Sequence, residues 1–359
     1  MKSLKEADGQ LRENWYILAL EEELKDKPIR REVYDKAYVI FRDENGRMQA
    51  FEDRCIHRGA QLSLGHTKKG CLQCPYHGWT FDGLGQLKEV PSQGDKLGKA
   101  QSQWRLNRPV QSVQDGCLWI WCGDEAPSDR WPSWRFPFAD DKKWHKYFMI
   151  TDFDNDVTHL IQNFMDVPHT VFVHKHWFRR QEHLKVPITL EVHEGRVKVT
   201  YHQKNDSIGF FSRMLNPKKE PMIHTDEFIY PNITRVDYKF GEQGFVINSQ
   251  CTPIGRYKTR VYTWIAYKMG GVGPWIKPLL GWYTRAVIEQ DVEIMANQGD
   301  NFRFLEERGE SLQFVPKNGY YSTSADELHL AIDEIRAKGV SDPQEARAAS
   351  YQREREFWI

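Results

Sequence analysis

The chain of 359 residues carries 50 basic and 50 acidic side chains and no net formal charge, so no overall field draws it toward nucleic acid or an anionic membrane. Its length suits two domains, each able to build a sizeable core. Six Cys in a chain of this size speak for metal ligands or free thiols in a reducing compartment rather than a disulfide framework.

The N-terminus, MKSLKEADGQLRENW, mixes charges of both signs and lacks the apolar core of a signal peptide. The most apolar run, VGPWIKPLLGWYTRAVI, is interrupted by Pro274, Lys277 and Pro278 and is too short to span a bilayer. The expectation is a soluble, cytoplasmic protein. Residues 14–24 read as a short strand followed by a polar connection. Two β-rich runs, YVIF and MQAF, then flank Asn45-Gly46, a pair that predicts a hairpin with a type I′ turn because both central residues of that turn need positive φ.

Next come Cys55-Ile-His57 and, after sixteen residues, Cys74-Pro-Tyr-His77-Gly-Trp79. Each loop offers one thiolate and one imidazole, the donor set of a Rieske [2Fe-2S] centre, with two Cys on one iron and two His on the other. Structural zinc needs the same four donors, but zinc fingers usually pair Cys with Cys and His with His. Cys71-x-x-Cys74 is itself a possible knuckle; Cys71 is read as a spare thiol and His66 as a loop residue. Gly59, Gly65, Gly70 and Gly78 are expected to let the loops approach the cluster.

Residues 86–122 read as further strands ending in SVQDGCLWIWCGD, where Val113, Leu118, Ile120 and the Trp residues predict a buried meander and Cys117 and Cys122 core packing. The Pro-rich, mixed-charge stretch 123–144 reads as a linker, with the domain boundary near 125. The two domains are thus 1–125 and 126–359.

In NDVTHLIQNFMDVPHTVFVH, residues 155–174, Asp166 and His169 stand three apart and share a helical face. His174 follows at a spacing that a straight helix does not satisfy, and Pro168 predicts a bend that lets both imidazoles converge on one ion. Segment 179–270 alternates short β-rich runs with polar turns, predicting a long antiparallel sheet. A helix is expected from about 275 to 300. On it Asp291 stands three from Ile288 and four from Met295 and faces inward, while Glu289 and Glu293 look outward; Asp300 is a further carboxylate. A last helix is announced by a capping box at Ser324-x-x-Glu327, with Leu328, Ala331, Ile332 and Ile335 as its apolar stripe and Gly339 beyond its end. The tail is polar until its last three residues.

CIHRG at 55–59, CPYHGWTFDGLG at 74–85, NFMDVPHTVFVH at 163–174 and EQDVEIMANQ at 289–298 resemble the Rieske non-haem iron oxygenases, specifically their terminal oxygenase (α) component of the α-only type. The resemblance implies an α+β protein: an N-terminal all-β Rieske domain followed by a catalytic domain with a long antiparallel sheet and helices, of helix-grip, START/Bet v1-like type. It implies a [2Fe-2S] cluster on Cys55, His57, Cys74 and His77, and a mononuclear Fe(II) on His169, His174 and Asp291. It also implies that Asp166 orients His169 and bridges to a cluster His of a neighbouring protomer in a homotrimer, and that Asn163 lies near the iron. Gln162 stands where many relatives have Glu or Asn. His159, His176 and His224 match no ligand and read as hydrogen-bonded or surface residues. Phe210, Met214, Ile223, Tyr230, Asn232, Asn248 and Trp264 are the candidate substrate-pocket residues, on the sheet.

The implied activity is a monooxygenase that hydroxylates or oxidatively demethylates a small to medium organic substrate with O2, fed by a ferredoxin or flavin reductase from NAD(P)H. The alternatives are a cis-dihydroxylating aromatic-ring dioxygenase and, more remotely, a Rieske electron carrier, which would need only residues 1–125 and leave His169, His174 and Asp291 without a purpose.

Overall fold

The computed structural model describes residues 11–94, 97–128, 132, 134–174, 185–202, 216, 220–270, 273–309 and 321–358. Phe210, Met214 and His176 lie outside these residues. The chain divides into two compact units, Arg12–Arg135 and Phe136–Ile359, with Leu11 in the core of the second. The first unit runs on to Arg135, past the position near 125 where the linker composition begins.

In chain order the first unit holds β1 (Trp15–Leu20), β2 (Ile29–Val33), β3 (Lys36–Arg42), β4 (Met48–Glu52), β5 (His66–Lys68), β6 (Cys71–Gln73), β7 (Thr80–Phe81), β8 (Leu87–Glu89), β9 (Gln111–Gln114) and β10 (Cys117–Trp121). They form three small antiparallel sheets, ordered β1-β10-β9, β2-β3-β4 and β5-β6-β7-β8. β3 divides the interior, because successive side chains of a strand point to opposite faces. Tyr38 and Ile40 pack with Tyr16, Leu18 and Ile120, whereas Val39 and Phe41 pack with Phe51, Leu62, Cys55 and Cys74. One strand thereby supports both the main core and the loops that carry the Cys-His pairs.

The β3–β4 hairpin forms as expected, but not its turn. Only Gly46 has positive φ, +73°. Asp43 accepts from the N–H groups of Asn45 and Arg47 through Oδ1, at 2.9 and 3.0 Å, so an Asp side chain caps a longer loop and a two-residue type I′ turn is not needed. Val113 is 44% exposed rather than buried, since β9 is the edge of its sheet.

The second unit is an eight-stranded antiparallel sheet with helices, the α+β organisation expected. Its strands are β11 (His145–Phe153), β12 (Lys185–His193), β13 (Arg196–Tyr201), β14 (Met222–Ile229), β15 (Ile233–Phe240), β16 (Gln243–Gly255), β17 (Lys258–Lys268) and β18 (Tyr351–Trp358), in the spatial order β11-β17-β16-β15-β14-β13-β12-β18. The polar tail thus supplies an edge strand, β18, paired from Lys185↔Trp358 to Val192↔Tyr351. Its run of alternating charges is what an exposed sheet edge tolerates.

The helices are α1 (Val157–Phe164), α2 (Thr170–Val173), α3 (Gly273–Glu307), α4 (Glu327–Ser341) and α5 (Pro343–Ala348). Asp156 caps α1, accepting from the N–H groups of Thr158 and His159. The bend expected at Pro168 is a full break into α1 and α2, because Pro168 has no N–H to donate and disfavours helical backbone at Val167. The α4 stripe of Leu328, Ala331, Ile332 and Ile335 is buried against Val157, Leu160 and Ile161. The capping box is Thr323 with Asp326, one residue ahead of the expected pair, and it closes the 3-10 turn Ser324–Asp326 that leads into α4. Gly339 lies inside α4 rather than beyond it. A Cβ there would stand 2.3 Å from Cε2 of Tyr230, so the glycine serves close packing and not helix termination. Among the described residues no helix is long and apolar enough to cross a membrane.

Candidate metal centres and substrate cavity

Two loops of the first unit repeat one hydrogen-bonding pattern. Cys55 N–H donates to Ala60 O at 2.8 Å and Gly59 N–H to Cys55 O at 2.9 Å; Cys74 N–H donates to Trp79 O at 2.8 Å and Gly78 N–H to Cys74 O at 3.1 Å. Gly59 and Gly78 hold φ of +74° and +70°, a backbone that an L side chain rarely adopts. Gly65 and Gly70 serve elsewhere: a Cβ on them would strike Gln73 O and the Glu44 backbone. Cys55 and Cys74 are buried, and the rings of His57 and His77 stand 4.6 Å apart between centroids. Trp79 stacks on His57 at 4.4 Å and 3°, which fixes that imidazole.

His57 Nδ1 is buried with no hydrogen-bond partner. An orphaned buried nitrogen is costly unless something else takes its lone pair, and a metal ion is such an acceptor of electron density. Burial, with His77 and Arg58 alongside, lowers the His57 pKa, which keeps the imidazole in its neutral, ligating form. Burial, with Cys74 alongside, pushes the Cys55 thiol up to about 11; a bound metal reverses that by displacing the proton. Two thiols and two imidazoles from matching loops fit a [2Fe-2S] cluster. Cys71 lies on β6, half-buried, with its thiol pKa raised by burial.

In the second unit, His169, His174 and Asp291 are the one group among the described residues that converges closely enough for a single ion, their donor atoms lying within 4.8 Å of one another. His169 Nε2 is 3.4 Å and His174 Nε2 3.2 Å from Asp291 Oδ1. His169 begins and His174 ends the short α2 turn, while Asp291 projects inward from α3 with Glu289, Glu293 and Asp300 exposed. Burial would raise the Asp291 pKa, but the two imidazoles hold it below the usual carboxylate range. Burial would lower that of His169, but Asp291 and Asp166 raise it. Two imidazoles and one carboxylate on one side, open on the other, form the donor set of a non-haem Fe(II) centre.

The groups around these three side chains meet them unequally. Gln290 Oε1 lies 2.8 Å from His174 Nδ1. Asp166 Oδ2 is 3.7 Å from His169 Nδ1, outside hydrogen-bond range, and that nitrogen is buried without a hydrogen-bond partner. Asn163 aims its amide at Asp291 Oδ1 from 3.5 Å and keeps its own Oδ1 buried without a hydrogen-bond partner. Gln162 turns away to donate to both oxygens of Asp333 at 3.1 Å. His159 bonds Asp156 and packs on Phe302, so its reading as a satisfied histidine holds.

Asn163, Asp166, His169, His174 and Asp291 all line a cavity of about 150 Å³. Its floor is the sheet, in cross-strand rows set by register: His224 beside Tyr238 and Phe245, Asp226 beside Val236, Ile247 and Ile265, and Thr234 beside Ser249, Thr263 and Met149. Tyr283, Thr284, Val287 and Ile288 close it from α3.

None of the five described pocket candidates lines this cavity. Asn248 and Trp264 sit on the residues between Ile247, Ser249, Thr263 and Ile265, hence on the opposite face. Asn248 donates to Thr234 O at 2.8 Å, and Trp264 donates to Pro137 O at 3.0 Å and stacks on Phe136. Ile223 is 56% exposed, one residue out of phase with His224. Tyr230 packs against Gly339, and Asn232 is held by Arg336. His224, read from sequence as a hydrogen-bonded or surface residue, is buried and bonded to Asp226 at 3.0 Å; Asp226 is not singled out there, although their spacing of two on a strand, with buried Phe228 next in the series, is the signal that both face the interior.

Residues 14–110 match the Rieske [2Fe-2S] domain family, and residues 153–337, half of the chain, match the vanillate O-demethylase oxygenase C-terminal domain family. The chain belongs to the Rieske non-haem iron oxygenases. A [2Fe-2S] cluster and a mononuclear iron are the cofactors of this oxygenase family. The chain is 36% identical over 165 residues to the dicamba O-demethylase oxygenase component of Stenotrophomonas maltophilia, covering 46% of this chain and 48% of that protein. It is 27% identical over 315 residues to the chloroplastic protein TIC 55 of Pisum sativum, covering 82% and 53%. The chain thus spans about half the length of these curated relatives. The crystal structure of dicamba monooxygenase bound to dicamba superposes with a TM-score of 0.77 at 22% identity, covering 93% of this chain and 98% of that one, and shares the fold of this oxygenase.

Proposed function

We propose that the chain is the terminal oxygenase of a Rieske system, a monooxygenase that hydroxylates or oxidatively demethylates a small to medium organic substrate. The observation that carries this reading is the position of His169, His174 and Asp291 in the wall of a cavity of about 150 Å³ with largely apolar sides. Names among the relatives support it, including dicamba O-demethylase and vanillate O-demethylase oxygenase subunits.

On this reading Cys55, His57, Cys74 and His77 hold the cluster in the N-terminal domain, 1–125, and His169, His174 and Asp291 hold Fe(II) in the catalytic domain, 126–359. When bound, the cluster supplies single electrons and the iron supplies the activation of O2. The protein's own residues do the rest. Gln290 fixes the His174 tautomer so that Nε2 faces the ion. Asn163 holds the Asp291 carboxylate. Asp166, whose carboxylate stands 3.7 Å from His169 Nδ1, acts on that ring through its charge and bridges to the cluster of a neighbouring protomer in a homotrimer. Apolar side chains such as Val236, Ile247 and Ile265 exclude water and hold the substrate. A ferredoxin or flavin reductase drawing on NAD(P)H supplies electrons, and the setting is the cytoplasm.

Iron analysis of the reconstituted chain tests the reading together with a mass-scored substrate screen under labelled O2. About three Fe per chain and a product that gains one labelled oxygen, or loses a methyl group, are expected. About two Fe and no O2-dependent product would mark an electron carrier instead.

A further inference from the structure

Three hydroxyl-bearing residues stand side by side in the floor of the cavity. Register places Thr234 of β15 opposite Ser249 of β16, and Ser249 opposite Thr263 of β17, so the three share the face that lines the cavity. All three are buried, and the hydroxyl oxygens of Ser249 and Thr263 lie 3.2 Å apart. The next row toward one end of the strands is Val236, Ile247 and Ile265, and toward the other it holds Cys251 and Val261. The hydroxyl row is therefore a polar break between apolar rows. One hydrogen bond between two hydroxyls uses one of their two protons, so whichever oxygen donates, its partner keeps an O–H to give. The carbonyls of these strands already accept within the ladder. A buried O–H without an acceptor is costly, and the floor calls for an acceptor from the molecule that fills the cavity.

The run of α3 over the sheet sets where that acceptor lies. Tyr283 shares a packed cluster with Tyr238, Phe245 and Ile265, whereas Met295, just beyond Asp291, shares another with Cys251 and Val261. Ser249 and Thr263 stand between these positions on β16 and β17, so of the rows that line the cavity theirs is the one at the Asp291 end. An oxygen docked on the pair is thereby held at the iron-binding end, against strands that are rigid through their ladders. The charges nearby select its type. Asp166 and Asp226 line the same cavity, and neither Lys nor Arg is among its described lining residues. A ligand carboxylate would meet like charge at low dielectric with no cation to pair it, while an uncharged oxygen takes the hydroxyl proton without that cost.

We infer that Ser249 and Thr263 determine specificity in this oxygenase, docking a mainly apolar molecule through an uncharged oxygen acceptor of the carbonyl or ether kind. The inference deepens the oxygenase reading and rests on it for the fate of the bound molecule, whereas the docking itself needs no turnover. The test is therefore equilibrium binding to the anaerobic holoenzyme, by ligand-observed NMR, of three probes of similar shape: acetophenone, which carries the acceptor, cumene, which lacks it, and benzoate, which carries it with a charge. Infrared difference spectra of bound carbonyl-labelled acetophenone report whether its oxygen accepts a hydrogen bond, a signature that packing alone does not produce.

The expected result is that acetophenone binds about tenfold more tightly than cumene and than benzoate, with its carbonyl stretch lowered from the value in hydrocarbon solvent. The double variant Ser249→Ala, Thr263→Val, which removes both hydroxyls and keeps most of the bulk, should cut the advantage over cumene to about twofold or less and return the stretch toward the hydrocarbon value. Equal binding of acetophenone and cumene, equal or tighter binding of benzoate, an unshifted carbonyl, an advantage that survives in the folded double variant, or no binding of any probe at millimolar concentration would overturn it. The wild-type ranking and carbonyl stretch decide the matter even where the variant does not fold. The expected ranking and stretch without oxidation of any probe would leave the docking site standing and count against the oxygenase reading alone.

Discussion

Gln290 Oε1 stands 2.8 Å from Nδ1 of His174, while Nε2 of the same ring faces Asp291 from 3.2 Å. The neighbouring residues Gln290 and Asp291 thus face opposite edges of one imidazole, Gln290 steering it and Asp291 sharing with it the proposed iron site. Gln290→Leu removes the steering contact and keeps the bulk. It should weaken binding of Co(II) to the apo iron site by about 10- to 100-fold, the usual cost of losing such a partner. Metal titration followed in the visible spectrum measures this, and an unchanged affinity would show that packing alone orients His174.

Asp166 Oδ2 lies 3.7 Å from His169 Nδ1 at the cavity wall. If it relays electrons as proposed, Asp166→Asn should leave dithionite reduction of the cluster intact and slow its reoxidation by O2 in the presence of substrate. Stopped-flow absorbance reads both phases. An unchanged reoxidation rate would remove Asp166 from the path.

The start of α1 gives a pH-dependent prediction. Burial would raise the Asp156 pKa, but His159 and the N–H groups of Thr158 and His159 hold it below the usual range. A carboxylate with a depressed folded-state pKa contributes stability above its unfolded value of about 3.9 and loses it as the pH falls through the folded value. Asp156→Asn keeps a capping oxygen and removes the charge. It should cost about 1–2 kcal/mol near neutral pH, and the difference from wild type should shrink below about pH 4, as measured by urea denaturation. A difference independent of pH would assign the effect to packing.

Much of the site was readable before the fold was known, for a local reason. Cys-x-His and Cys-x-x-His loops and the Asp291 phase on α3 depend on spacings of a few residues, and ligand chemistry permits few substitutes. The substrate face depends instead on which side of a strand faces the cavity. On β17 the run from Val261 to Tyr267 is buried on both faces, so no polar alternation distinguishes Trp264 from Thr263 and Ile265. A shift of one residue then reverses the reading, which is what befell Asn248, Trp264 and Ile223. β18 escaped for the converse reason: QRERE has no apolar alternation, because it borders solvent beside β12.

The fit of Gly339 against Tyr230 sets two effects against each other. Gly339→Ala gains about 1 kcal/mol of helix propensity, but the added Cβ would stand 2.3 Å from the Tyr230 ring, and overpacking of this kind costs about 1–3 kcal/mol. An aromatic ring wedged in a core has little freedom to retreat, so the net change should be destabilising. Tyr230→Leu added to Gly339→Ala should cost less than the sum of the single changes. Denaturant midpoints of the four proteins close the cycle, and strict additivity would refute the contact.

His169→Ala bears most directly on the assignment of His169, His174 and Asp291 as the catalytic iron site. The account predicts that the reconstituted variant falls from about three Fe per chain to about two, keeps the visible spectrum of its cluster, and loses O2-dependent product formation. Loss of the cluster spectrum, or turnover that survives without the third iron, would contradict it.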